Sequence, residues 1–278
     1  MSKILCERRF LQALKRFWIR EQRCLGTSQF RADAGVTKTA DAGSDTAPEN
    51  CNSNTNLIEF HGVWPESERL SFIKDMRIIP NFISELEEEK ILQEVEPYMK
   101  RLHYEFDHWD DAIHGFRETE RKQWYPHNRA MLERVRQVAF DGAIMPYVHV
   151  LDLAEEGVIK PHVDSTRYCG STIAGISLLS DCVMRLVRTD ERKYLQQPET
   201  ADSLKSLGAE DSYRDQPVTT LENNFYADLL LQRRSLYIMS HSSRYNFTHE
   251  ILAKALSKFK SKLVNKQRRI SIICRNEP

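Results

Sequence analysis

The stretch Lys160-Pro161-His162-Val163-Asp164-Ser165-Thr166 sets an imidazole and a carboxylate two residues apart. In an extended chain residues i and i+2 share a face, roughly 6.5 Å of backbone rise apart, so the two side chains can converge on one ion. One His and one carboxylate are two of the three protein ligands in the 2-His-1-carboxylate arrangement that holds non-haem Fe(II) and leaves positions open. The pair is not specific by itself. His108-Trp109-Asp110 repeats the spacing, and a chain with nine His can hold an HxD by chance. A hydrogen-bonded pair at a surface turn is the plain alternative, and residues elsewhere must decide.

Two His follow Asp164. His241 falls in "SHSSR", expected to be a turn between strands, whereas His249 ends the alternating run Tyr245, Phe247, His249 and is the preferred third ligand. The last β-rich run, Arg268 to Arg275, alternates Ile270, Ile272 and Cys274 with Arg269, Ser271 and Arg275. Two guanidiniums on an inward face are costly unless an anion meets them. A dicarboxylate fits, one carboxylate gripped through two parallel hydrogen bonds and the other end chelating the metal. From the strand alone, a basic edge with both Arg in water stays open.

Taken as a spaced set, His162, Asp164, His249 and the RxSxxxR pattern at 269, 271 and 275 resemble the AlkB-like Fe(II)/2-oxoglutarate-dependent dioxygenases. Within that family the likeness is strongest to a mitochondrial animal member. It runs through "YEFDHWDDAIHGFRETE", "VHVLDL", "IKPHVDS", "STIAGISLLS", "VMRLV", "SLYI", "RYNFTHEIL" and "RRISIICR", most of residues 75–275. The resemblance implies a mainly β (α+β) chain with a double-stranded β-helix, or jelly-roll, core and N-terminal helices packed outside it. It implies Fe(II) on His162, Asp164 and His249, with 2-oxoglutarate and dioxygen as co-substrates. Tyr237, Arg269 and Ser271 would hold the distal carboxylate of 2-oxoglutarate, and Arg275 would lie nearer the metal end.

Two departures bear on the substrate. Nucleic-acid-repairing relatives carry Asn-x-Tyr where this chain has Leu151 and Leu153, and no counterpart of their base-gripping lid is evident. Hydroxylation of a protein or small molecule is therefore expected ahead of RNA demethylation of the AlkB type, with a largely non-catalytic mitochondrial signalling protein as a third reading. No DNA-repair role is expected, and the chain is expected to be a monomer.

The remaining sequence fits this frame. Its 278 residues, 41% hydrophobic and 29% charged, suit one sizeable globular domain. No apolar run reaches the length of a membrane span. Six Cys without a CxxC argue for free thiols in a reducing compartment. Residues 1–31 hold eight basic and two acidic residues, with Phe10, Leu14 and Phe17 at helical spacing, and read as a mitochondrial (matrix) presequence. Its loss would leave a formal charge of −6. A retained basic helix that binds lipid or RNA is the alternative.

Residues 32–56 contain one Val as their only large apolar residue and read as a disordered linker, so the dioxygenase domain is expected at 57–278. Within it, Ser84-Glu85-Leu86-Glu87 is a capping box ahead of Ile91, Val95, Tyr98 and Leu102, with Pro97 expected to kink or shorten the helix. A second helix is expected from about Asn128, carrying Met131, Val135 and Val138. After Ile144 short β-rich runs follow one another, the pattern of a sandwich or barrel. Residues 189–223 form a polar insert between two of them, expected to be a disordered excursion. Finally, Lys254, Lys258, Lys260, Lys262, Lys266 and Arg268 cluster without an acid among them; the cluster could track phosphates, though a solvated loop is the commoner role.

Overall fold

The computed structural model describes residues 55–106, 112–189 and 225–278, all within the unit Cys51–Pro278. The expected presequence, nearly all of the linker, His108-Trp109-Asp110 and all but the first residue of the polar insert lie outside the described residues. In chain order the elements are β1 Ile58–His61, α1 Glu66–Asp75, β2 Met76–Ile79, α2 Glu85–Met99, β3 Ile113–Arg121, α3 Pro126–Ala139, β4 Val148–His162, β5 Thr172–Leu178 and β6 Cys182–Arg188. They continue with β7 Tyr226–Leu231, β8 Leu236–Ser240, α4 His241–Tyr245, β9 Phe247–Ile251, β10 Lys258–Phe259, β11 Lys262–Leu263 and β12 Arg269–Arg275.

Ten strands form one antiparallel sheet in the order β1-β7-β6-β9-β4-β12-β5-β8-β2, with β3 added on β4. The sheet curls into a jelly-roll core. β4 serves both sides of it: Val150–Leu153 pair with β12, whereas Ile159 and His162 pair with β9. The turn of direction is built from a mismatch. Ile113 and His114 pair with Ile159 and Val158, then Phe116 resumes at Leu153, so four residues of β4 stand opposite Gly115 alone. Gly115 takes φ +67°, and a Cβ on Gly157 would come 2.5 Å from the Gly115 carbonyl oxygen, so the backbones meet at a point that only glycine permits.

Lys266 secures this bend. Its side chain is fully buried, and Nζ donates to the carbonyl oxygens of Glu155 (2.6 Å), Gly157 (2.8 Å) and Ala154 (3.4 Å). Bulged strands leave carbonyls without a ladder partner, and an ammonium with three donors can satisfy several at once. The basic cluster therefore divides. Arg268 pairs with Asp152 and Glu96, Lys254 pairs with Glu155, and only Lys258, Lys260 and Lys262 on the β10–β11 hairpin face outward as a group. A continuous strip reaching the cofactor strand, as the spacing allowed, is not formed.

α2 and α3 lie on the outer face. The capping box forms, Glu87 N–H donating to Ser84 Oγ (3.2 Å) and Ser84 N–H to Glu87 Oε2 (2.8 Å). Ile91, Val95 and Met99 of α2 and Met131, Leu132 and Val135 of α3 pack on Ile270, Ile272 and Cys274 of β12 and on Ala174 and Ile176 of β5. Pro97 sits in the last turn, and α2 ends two residues later, before Leu102. α3 starts at Pro126, two residues ahead of Asn128, because proline suits a first helical position. Three strands, β1, β2 and β3, precede Ile144 in the large sheet, where the sequence pattern had shown helices alone. Cys169, Cys182 and Cys274 are buried free thiols.

Candidate active site

β4 and β9 are antiparallel neighbours, and their register sets His162 directly opposite His249. The ring centroids are 4.2 Å apart. Asp164, just beyond the end of β4, closes the third side: its Oδ1 lies 3.2 Å from His162 Nε2 and 3.6 Å from His249 Nε2. One ligand atom from each residue falls within 4.8 Å of the others, the only such group among the described residues. His162 Nδ1 sits 2.8 Å from the Lys160 carbonyl, which can only accept, so Nδ1 carries the proton and Nε2 keeps its lone pair toward the cluster.

Electrostatics hold the donors in ligand form. Burial, then the neighbouring His162, lowers the pKa of His249 to about 3, so its imidazole is a neutral base. Burial works to raise Asp164, but the nearness of His162 and the charge of Arg275 outweigh it and keep the carboxyl well below its usual range. Two neutral imidazoles and one carboxylate, converging in a recess, are the donor set for a divalent first-row metal. His241 lies elsewhere. It opens the short helix α4, where a turn was expected, with φ +40°.

The loop after Asp164 is pinned to the end of β12. Gly170 N–H donates to the Asn276 carbonyl (3.0 Å) and Thr172 N–H to Asn276 Oδ1 (2.9 Å). A Cβ on Gly170 would meet the Glu277 carbonyl oxygen at 2.1 Å. This junction carries Arg275 to the ligand cluster, where its NH2 donates to Asp164 Oδ2 at 3.4 Å.

β12 faces inward with Arg269, Ser271 and Arg275, as its alternation predicts. Arg269 is 2% exposed; Nε donates to Ser177 Oγ (2.8 Å) and NH2 to Ser271 Oγ (3.3 Å). Two neutral hydroxyls orient this buried cation, and no acid among the described residues forms an ion pair with it. Tyr237 of β8 crosses Gly175, where a Cβ would come 2.4 Å from the ring, and meets Ser271 and Arg269. Burial raises the phenol's pKa, so it stays a neutral donor. Leu151 and Leu153 are buried beside Ser271 and Arg269 and give the pocket an apolar wall.

Four participants were missed from sequence: Ser177, Gly175, His149 and Arg244. His149 of β4 approaches Glu118 with Nε2 (2.8 Å) and Arg275 NH1 with Nδ1 (3.3 Å). Arg244 of α4 is fully buried, with none of its three nitrogens hydrogen-bonded among the described residues; its guanidinium lies over the Tyr245 ring at 5.0 Å.

No protein-family model matches the chain. It is 45% identical to the protein named "Alpha-ketoglutarate-dependent dioxygenase alkB homolog 7, mitochondrial" of Bos taurus, over 75% of this chain and 82% of that protein. The Mus musculus protein of the same name is 44% identical over 77% and 84%. The chain belongs to the AlkB homologue 7 family of dioxygenases. It is accordingly an oxidoreductase of the 2-oxoglutarate-dependent class, and mitochondrial like these relatives. A solved structure described as "The structure of OsALKBH1" is similar at a TM-score of 0.42 and 11% identity, covering 73% of this chain and 98% of that one. Among the described residues no helix is long and apolar enough to cross a membrane. In this member of the AlkB homologue 7 family His162, Asp164 and His249 converge, and Tyr237 lies beside Arg269 and Ser271.

Proposed function

We propose that the chain binds Fe(II) through His162, Asp164 and His249 and 2-oxoglutarate through Arg269, Tyr237, Ser271 and Arg275, and hydroxylates a protein or small molecule in the mitochondrial matrix. The observation that carries this reading is the convergence of three donor atoms within 4.8 Å, together with a buried guanidinium that, among the described residues, is held by hydroxyls. Iron with 2-oxoglutarate bound supplies oxidative decarboxylation by dioxygen coupled to hydroxylation of a C–H bond.

The chain's own residues supply geometry and charge. Arg269 grips the distal carboxylate, with Ser177 and Ser271 fixing the plane of the guanidinium. Tyr237 donates its phenolic proton to the same carboxylate. Arg275 stands at the metal end, where it offsets the charge of Asp164. Leu151 and Leu153 exclude water from the middle of the slot, which strengthens each of these charge-assisted contacts.

The preference for a substrate other than nucleic acid is supported by the fate of the basic cluster. Lys266 and Arg268 are committed to the fold, and Leu151 and Leu153 offer no polar contact to a base.

Metal titration of purified variants tests the ligands. His162→Ala, Asp164→Ala and His249→Ala should each lose Fe(II) or Mn(II) binding, whereas His241→Ala should retain it. Full metal occupancy in His249→Ala would remove that residue from the set. Arg269→Leu should keep the metal and weaken 2-oxoglutarate binding by about 3 kcal/mol, since a buried carboxylate loses its forked partner; unchanged affinity would place the distal carboxylate elsewhere.

A further inference from the structure

A chain of contacts runs from the surface to the metal recess: Glu118 Oε2 to His149 Nε2 (2.8 Å), His149 Nδ1 to Arg275 NH1 (3.3 Å), Arg275 NH2 to Asp164 Oδ2 (3.4 Å). Its internal logic fixes the protons. A guanidinium has donors and no acceptor, so His149 Nδ1 must accept. The ring proton then sits on Nε2 and is donated to the Glu118 carboxylate. His149 is 14% exposed and Glu118 37%, so the carboxylate stands at the outer end and the imidazole is sheltered.

We infer that His149 and Glu118 are positioning residues for Arg275, a role that rests on the site reading above. Arg275 brings five N–H donors into the recess, and its Nε is buried without a partner among the described residues. Two acceptors hold the group, Asp164 on one arm and His149 on the other. With His149 removed a single anchor remains, and the guanidinium is free to rotate about it. Its rotation decides whether donors point at the metal end of the bound 2-oxo acid. Glu118 acts one step further out. By accepting the hydrogen bond from Nε2–H it keeps the proton there and Nδ1 bare, so that Arg275 meets a lone pair rather than a second N–H.

Placement supports the role. His149 pairs across β4 and β12 with Ile273, two residues from Arg275, and Ile273 in turn pairs with Gly175, the residue over which Tyr237 lies. The contact is therefore in the row of the sheet next to the co-substrate slot. A plain alternative is that Glu118 and His149 form a cross-strand pair joining β3 to β4, of use to stability alone.

The two readings part on a double-mutant cycle read by anaerobic 2-oxoglutarate titration of the Mn(II)-loaded protein. His149→Leu should raise the 2-oxoglutarate Kd about tenfold while the Mn(II) Kd moves less than about threefold, since all three ligands remain. His149→Asn, which restores an acceptor near Nδ1, should recover most of the affinity. Glu118→Leu should weaken binding about threefold by freeing the tautomer. In an Arg275→Leu background, His149→Leu should have no further effect, because the path to the co-substrate is already cut. The position of the visible charge-transfer band of the Fe(II)–2-oxoglutarate chelate should shift in His149→Leu and return in His149→Asn. Additive losses in the cycle, or a His149→Asn no better than His149→Leu, would overturn the inference and leave the site reading standing. A parent protein that binds metal without 2-oxoglutarate would overturn both.

Discussion

At the scale of single residues, the site stores its readiness for metal as unfavourable protonation. The unfolded chain offers His249 an ordinary pKa of 6.5, whereas burial and His162 bring it to about 3 in the folded protein. Between those values the unfolded state binds a proton that the folded state refuses, so metal-free stability falls as pH drops from about 6.5 toward 3. Between pH 7 and pH 5 the loss from this residue is about 2 kcal/mol. Asp164 acts lower down. Its depressed pKa contributes stability that is present above the ordinary 3.8 and disappears only as pH falls below it. Urea unfolding of apo protein at pH 7 and 5 should show the loss in the parent and a flatter response in His249→Gln; equal slopes would mean that His249 takes its proton freely in the fold. Readability from sequence divides at this scale by pattern. His162, Arg269, Ser271 and Arg275 stand on strands whose alternation shows in the letters, and Asp164 follows His162 by two residues. Ser177 and Gly175 do not, because β5 is buried on both faces and every position looks alike. His149 looked like any polar residue of an ordinary strand, and its meaning depends on a side chain 126 positions away.

Among the elements, β4 has the most to reconcile, since it must leave one side of the jelly roll and join the other within a single strand. Through Ala154–Gly157 the chain stays extended and bulges. What makes the bulge affordable is a lysine more than a hundred residues away, which no local pattern could announce. Lys266→Met should therefore cost about 3 kcal/mol in urea unfolding, because a thioether fills the volume but leaves buried carbonyls of β4 without a donor. It should also loosen His162, which lies five residues beyond Gly157 on the same strand, and Mn(II) affinity should drop with stability. A variant as stable as the parent would show that solvent reaches those carbonyls. The helices were easier to read. α2 declares itself by its capping box and its period, while its buried acids did not: Glu88 accepts from Leu179 N–H (2.8 Å) and Arg233 Nε (2.8 Å), and Glu94 from Asn128 Nδ2 (2.6 Å), contacts that tie the helix to two distant loops and to α3.

For the whole molecule, the distribution of charge bears on the partner. Lys258, Lys260 and Lys262 extend from the β10–β11 hairpin, and Lys260 Nζ already donates to the Asn56 carbonyl. Three lysines neutralise at most three phosphates, which limits the log–log salt slope of single-stranded RNA binding to about −2. Weak RNA binding with that shallow slope is the expected result of a salt titration by fluorescence anisotropy. A steep slope that vanishes when the three become Glu would favour the demethylase reading. The fold class was legible in the succession of short β-rich runs and in the spaced ligand set, whereas the strand order was not, since pairing of β12 between β4 and β5 joins segments separated by about a hundred residues.

That insertion has a consequence for how the protein comes into being. β12 follows every other strand of the large sheet in the chain, and it fills the gap between β4 and β5 while bringing Arg269, Ser271 and Arg275. A ribosome, or a translocation pore fed from the amino terminus, delivers His162, Asp164 and His249 before it delivers the strand that joins β4 to β5. Until then β4 and β5 expose bare edges, which invite pairing with other chains. Chains interrupted before residue 269 should accordingly be aggregation-prone substrates for chaperones and proteases rather than feeble enzymes, and the proposed iron site has little opportunity to exist without the arginines proposed to grip its co-substrate.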